Sequence, residues 1–330
     1  MKESSVDKCQ LSVIVPIYNA RQYLRECLES IVAAVRGFAA EIICVDDGST
    51  DESAVICRDY PVRLIVCEHR GAGVARNTGL AVAVGKYVHF VDADDTVVVG
   101  AYSDFLKLAD KNELDMVRGN GISRDWRYRH MTVSPKVSRT PVVFEDCSLE
   151  ILKLSVVPWL GIVRRSFIME KSISFASTIC GNDVTFFYDL LINGARMQLL
   201  RRPLVRHFSR PGSLIQQRHI YFTCDFENYN HVLLSSACLT PATRKIFLRV
   251  LLINLCNRLL SYKKSNVSNW NAIQGYAKEF FRSPDLSLRE GINIGGIVKE
   301  VSNRAVKPFL YQNVRDKINS FWNILQNCFL

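Results

Sequence analysis

Two spacings of apolar residues alternate along the first hundred positions. Leu11-Ser12-Val13-Ile14-Val15 is a short β-branched run closed by Pro16. Tyr23, Leu24, Cys27, Leu28, Ile31, Val32 and Val35 then recur at helical spacing, and Gly37 ends that helix. Glu41–Val45 reads as a second buried strand. It is followed by Asp46-Asp47-Gly48-Ser49-Thr50, where Ser49 or Thr50 can cap a helix over Asp51–Asp59. Val62–Val66 is a third strand, Ala75–Ala83 a helix ended by Gly85, and Tyr87–Val91 a fourth strand running into Asp92-Ala93-Asp94-Asp95. Strands separated by helices predict parallel βαβ units, so an α/β sheet with helices on both faces. The continuous apolar strands fit a sheet covered on both sides.

In such sheets ligands sit at the carboxyl ends of the strands. The conspicuous polar residues fall at that edge: Pro16-Ile17-Tyr18-Asn19 after strand one, Asp46-Asp47 after strand two, Asp92-Ala93-Asp94 after strand four. An extended backbone would put Asp92 and Asp94 on one side. Paired carboxylates there predict a site for a hard divalent cation, which binds through one or two carboxylates plus substrate phosphates. Such a cation would stabilise a diphosphate as leaving group. Arg76, in Gly71-Ala72-Gly73-Val74-Ala75-Arg76-Asn77, adds a fixed positive charge at a glycine-rich bend. No Gly-x-Gly-x-x-Gly follows strand one and no Walker loop is present, which disfavours a dehydrogenase-type nucleotide binder.

The linked motifs resemble family 2 glycosyltransferases of the GT-A fold. They are Val13–Asn19, Val45–Asp51, Ala75–Gly79 and Phe90–Asp95, in the family's order and approximate spacing. The likeness continues through Trp159–Ile173, through Gly181-Asn182-Asp183-Val184-Thr185-Phe186, and through Arg206-His207-Phe208-Ser209-Arg210-Pro211-Gly212-Ser213. It implies that Pro16 and Tyr18 line a nucleotide-base pocket and that Asp46 or Asp47 hydrogen-bonds base or ribose. It also implies that Arg76 contacts the nucleotide, that Asp92 lies by ribose and metal, and that Asp94 binds Mn²⁺ or Mg²⁺ directly. Asp183 is then the catalytic base of an inverting transfer. The family commonly has Glu where this chain has Asn182. The implied donor is a nucleotide sugar, most commonly UDP-linked in the family. The implied acceptor is a glycan or lipid-linked glycan of bacterial surface-polysaccharide synthesis.

Composition sharpens the domain picture. With 330 residues, 48% of them hydrophobic and 22% charged, the chain suits about two folded domains. These figures exclude a mostly disordered chain and a small disulfide scaffold. Residues 1–200 carry 23 Lys and Arg against 25 Asp and Glu, net −2; residues 201–330 carry 19 against 7, net +12. The expected division is a catalytic domain over 1–215 and a basic helical region over 216–330. In the latter, Phe247, Leu248, Leu251, Leu252, Leu255 and Leu259 form an apolar face flanked by cations. That charge implies an anionic partner: a membrane surface, a phosphorylated acceptor or nucleic acid. Nucleic acid is the weaker alternative, because no zinc module or RNA-recognition motif appears.

Eleven cysteines, none in Cys-x-x-Cys spacing, read as small core hydrophobes. The polar start of the chain and the lack of a long apolar run predict a cytoplasmic protein without a spanning helix, placed peripherally on the inner membrane face. Arg206, His207 and Arg210 are candidates for an acceptor phosphate or the donor diphosphate. His89, inside a strand, is expected to be a satisfied core residue. Ser123–Arg139, rich in arginine and aromatics, reads as a loop or flap over the cleft.

Overall fold

The computed structural model describes residues 9–123, 140–146, 151–152, 154–208, 221–264, 275–276 and 280. The chain divides into two units, residues 1–213 and 214–330. In the first, an eight-stranded sheet runs in the order β3-β2-β1-β4-β7-β6-β8-β5. The strands are β1 (Leu11–Ile17), β2 (Ala40–Asp46), β3 (Arg63–Val66), β4 (Tyr87–Phe90), β5 (Thr96–Val97), β6 (Met116–Ser123), β7 (Gly161–Arg164) and β8 (Met197–His207). The first four are mutually parallel, as the βαβ pattern predicts. β7 then runs antiparallel to both β4 and β6, β8 parallel to β6, and β5 antiparallel to β8. The mostly parallel sheet expected from the sequence is thus parallel on one side and mixed on the other.

Helices α1 (Leu24–Ala34), α2 (Ser53–Cys57) and α3 (Ala72–Val82) connect the parallel strands. Leu24, Cys27, Leu28, Ile31 and Ala34 bury the predicted face of α1. All seven residues of β1 are buried, as a strand covered on both faces requires. Pro16 lies inside β1, opposite Val45, where the sequence placed it after the strand's end. The register explains this. β4 pairs with β1 only from Leu11 to Ile14, so beyond Ile14 β1 needs no donor on that side and proline is tolerated. α2 is also shorter than expected. Ser49 and Thr50 do not cap it: the Ser49 hydroxyl accepts from the Asn19 backbone N–H at 2.9 Å and the Thr50 N–H donates to the Asn19 side chain at 2.9 Å. Asp51 accepts from the Ser53 N–H instead. α3 lies close on the sheet through Gly79, where a Cβ would come within 2.5 Å of Ile14.

The mixed side is carried by α4 (Ala101–Lys111), α5 (Arg165–Glu170) and α6 (Asn182–Ile192). His89 sits at the seam between the two sides. It is buried, with Nδ1 at 2.8 Å from the Tyr102 hydroxyl and Nε2 at 2.9 Å from the Trp159 carbonyl. It is the satisfied core histidine the sequence suggested.

In the second unit α7 (Phe222–Ser235) is followed by α8 (Pro241–Lys264). Phe247, Leu248, Leu251, Leu252 and Leu255 are buried; the side chain of Leu259 lies outside the described residues, as do Arg210 and positions 124–139. Among the described residues no helix is long and apolar enough to cross a membrane.

Candidate active site

The four parallel strands deliver their carboxyl ends to one edge, and the chain turns at each. After β4 it forms a tight turn in which the Asp95 N–H donates to the Asp92 carbonyl at 2.9 Å. The turn, rather than an extended alternation, gathers the acids. One carboxylate oxygen from each of Asp92, Asp94 and Asp95 falls within 4.8 Å of the others. Asp95, unremarked as a site residue in the sequence, is the most enclosed of the three. Its Oδ1 accepts from His207 Nδ1 at 2.9 Å and from the Phe208 N–H at 3.0 Å, while its buried Oδ2 has no hydrogen-bond partner among the described residues. Burial pushes the Asp95 pKa up, and the Asp95 carboxylate in turn raises His207. The His207 ring stacks on Trp159 with centroids 5.3 Å apart.

Arg76 ties this acidic turn to the start of α6. Its Nη2 donates to Asp92 Oδ1 at 2.6 Å and its Nη1 to Asn182 Oδ1 at 2.9 Å. The guanidinium carbon lies 5.2 Å from the centre of the Phe175 ring. The arginine is only 6% exposed, so its described partners are protein groups. Asn77, one residue on, clamps the same neighbour from both sides: its amide donates to the Phe175 carbonyl at 2.8 Å and accepts from the Phe175 N–H at 2.9 Å.

Asp183 stands in the first turn of α6, after Gly181 in the left-handed region at φ 73°. It is half-buried. Electrostatically it faces Arg118, a buried arginine that no sequence pattern marked. Arg118 donates to the Ser155 and Val157 carbonyls at 2.6 and 3.0 Å and lies over the Phe187 ring at 4.6 Å. Burial pulls its pKa down to about 9, with the nearby Asp183 charge opposing. Phe187 is four residues beyond Asp183, so the two share a face of α6.

The nucleoside-side candidates form a separate cluster at the ends of β1 and β2. Asp47 is 2% exposed; its carboxylate accepts from the Arg70 and Gly71 N–H groups at 2.9 and 2.8 Å, and His69 Nδ1 lies 2.8 Å from Oδ2 and 3.1 Å from the Asp47 carbonyl oxygen. Asp46 accepts from the Ser49 N–H at 2.9 Å. Tyr18 is 43% exposed and stacks on the His69 ring, with centroids 3.9 Å apart and planes 18° from parallel. Pro16 is buried in β1 beside them. Gly71, held by Asp47, is the residue from which α3 starts, and five positions on α3 presents Arg76. The structure therefore links Asp47, Arg76, Asp92 and Asn182 through one helix and its bonds, with Asp94, Asp95 and Asp183 as chain neighbours. Arg206 is exposed on β8. His69, a lone histidine in a polar loop, carried no signal that sequence reading could use.

The acidic turn fits a divalent cation. Its donors are all carboxylates, which suit hard ions such as Mg²⁺ and Mn²⁺, and among the described residues none supplies a donor to Asp95 Oδ2.

Comparison with known proteins agrees with this arrangement. Residues 12–170 match the model of the family described as glycosyl transferase family 2. The glycosyltransferase YibD of Escherichia coli strain K12 is 33% identical over 214 residues, which are 60% of this chain and 61% of YibD. The minor teichoic acid biosynthesis protein GgaB of Bacillus subtilis strain 168 is 42% identical over 115 residues, 32% of this chain and 13% of GgaB. The chain thus spans under two thirds of either relative. The crystal structure of S. aureus TarS 1–349 in complex with UDP-GlcNAc is similar at a TM-score of 0.69 and 20% identity, covering 96% of this chain and 90% of that one. At that identity the likeness speaks for the fold, which is GT-A.

Proposed function

We propose that the chain is an inverting sugar transferase of surface-polysaccharide synthesis. It would move a sugar from a nucleotide-sugar donor, UDP-linked, to a hydroxyl of a glycan or lipid-linked acceptor. The observation that carries this reading is the joint between the two halves of the site: the acidic turn at Asp92, Asp94 and Asp95 is bonded through Arg76 to Asn182, the residue before Asp183. That joint supports placing a donor-side cation site and a candidate base in one cleft. The match of residues 12–170 to the family 2 model supports the reaction class, and the UDP-GlcNAc named for TarS supports the donor class.

In this reading Asp183 takes the proton from the acceptor hydroxyl. The oxygen then attacks the anomeric carbon as the bond to the diphosphate oxygen breaks. Tyr18, Pro16, Asp46 and Asp47 shape the nucleoside end. Asp94 and Asp92, with Asp95 beside them, hold Mn²⁺ or Mg²⁺, which when bound neutralises charge developing on the departing diphosphate. Holding donor and acceptor in one cleft lowers the barrier by orientation. An anionic membrane surface bearing a lipid-linked acceptor suits the net +12 charge of residues 201–330. The contact would run through cations, since Phe247, Leu248, Leu251, Leu252 and Leu255 of α8 are buried.

The test is a thermal-shift panel of nucleoside diphosphates and nucleotide sugars with and without Mn²⁺ or Mg²⁺. A ligand of the native state raises the melting temperature. The reading expects the largest rise with a uridine nucleotide plus metal. Equal rises with and without metal, or no rise with any nucleotide, would overturn it.

A further inference from the structure

Asn182 occupies the position where a glutamate is the family's common residue, and the structure shows what the amide does there. Its Oδ1 accepts from Arg76 Nη1 at 2.9 Å, and its Nδ2 donates to the Thr178 carbonyl at 3.3 Å. The residue is 5% exposed. Its side chain also packs on α3: a Cβ added to Gly73 would come within 3.1 Å of Asn182 Cβ and Cγ, and within 2.2 Å of the Ala176 carbonyl oxygen. Asn77 and Thr185 hold the intervening segment, through Phe175 and through the Ala176 N–H. The start of α6 is therefore fixed against α3 from several sides, and Asn182 is where that fixing reaches the acidic turn.

The guanidinium of Arg76 is a rigid planar fork. With one branch on Asp92 and the other on Asn182, a single side chain bridges the β4 turn and the first turn of α6. The Asn182 side-chain oxygen satisfies one branch of the fork and Asp92 the other.

We propose that Asn182 is a positioning residue: by accepting from Arg76 it sets the first turn of α6, and with it Asp183, relative to the donor-side acids. This rests on the reading of Asp183 as the base.

The experiment compares Asn182→Ala and Asn182→Asp with the unaltered full-length chain, with Asp183→Asn as the control arm. Both Asn182 variants lose the N–H donor to the Thr178 carbonyl. Only the isosteric aspartate keeps an acceptor for Arg76, so the difference between them isolates that bond. For Asn182→Ala the expected result is a fall in kcat of roughly 10- to 100-fold, the scale of a misplaced catalytic group, with the KM for donor changed less than about twofold. Asn182→Asp should recover most of that kcat. Equal kcat in the alanine variant and the unaltered chain, equal losses in both variants, or a loss confined to donor KM would each overturn the inference. Should Asp183→Asn turn over normally, the base reading itself fails. With Asp183→Asn inactive and the Asn182 variants unaffected, the positioning role alone fails.

Discussion

The two sides of the sheet are built differently. On the parallel side β1 is buried at every residue, and α3 approaches so closely that Gly79 has no room for a side chain. Order there comes from continuous apolar strands covered on both faces. On the mixed side β8 passes through the exposed pair Arg201 and Arg202 in mid-strand. Its neighbour β6 carries Arg118, a buried cation held by two backbone carbonyls and an aromatic face. Order there comes from polar groups that must each find a partner, because an unpaired buried charge is costly. The comparison assigns a task to each side. The apolar side is a frame that presents acids at its edge, and in the proposed reading the polar side supplies the base, Asp183, one residue beyond the Asn182 that bonds Arg76.

Breaking either contribution should separate them. The largest effect is expected from Asp183→Asn: transfer should fall by roughly 10²- to 10⁴-fold, the usual worth of a general base, while nucleotide binding persists. Single-turnover assays beside calorimetric titration with UDP check both halves of that statement. Asp94→Ala strikes the other side and should do the reverse. Metal-dependent nucleotide binding is lost first, so the melting-temperature gain from UDP plus Mn²⁺ should drop to the gain from UDP alone.

His89 tests the seam. Burial pulls its pKa down to about 4 from 6.5. The unfolded ring therefore takes up its proton at higher pH than the folded one. Stability should be unaffected above about pH 6.5 and should fall as pH drops from there towards 4, by about 3 kcal/mol in all, then level off with respect to this group. Urea denaturation across that range measures it, and His89→Gln should flatten the same stretch of the curve. The smallest effect concerns packing alone. Gly79→Ala brings a Cβ within 2.5 Å of Ile14 and should cost about 1–3 kcal/mol in stability, with kcat for the folded enzyme unchanged.

The same contrast decides what could be read from the sequence. The parallel strands announce themselves because consecutive βαβ units keep neighbours in sequence adjacent in space, and because a strand buried on both faces is an unbroken apolar run. The mixed side breaks both conditions. Its strands pair out of order, β5 is only Thr96–Val97, and β6 reads Met-Val-Arg-Gly-Asn-Gly-Ile-Ser, with glycines and a buried arginine where alternation would be sought. For the site, Asp92 and Asp94 stood out because carboxylates directly after a buried strand are conspicuous. The turn that adds Asp95 to them was not visible, since an Asp-Asp pair is compatible with an extended or a turned backbone. The Arg76 bonds to Asp92 and Asn182 span up to 106 positions along the chain, and no local pattern encodes such a contact. His69 was missed for the same reason: its meaning comes from Tyr18 and Asp47, which reach it from other strands.

The most direct test of a single shared cleft is diffraction from crystals grown with UDP and Mn²⁺, recorded at the manganese absorption edge. The account expects one anomalous peak at the Asp92–Asp95 turn, with the diphosphate beside it and the Asp183 carboxylate on the wall of the same cleft. A peak elsewhere, or UDP bound at the far side of the sheet from Asp183, would contradict it.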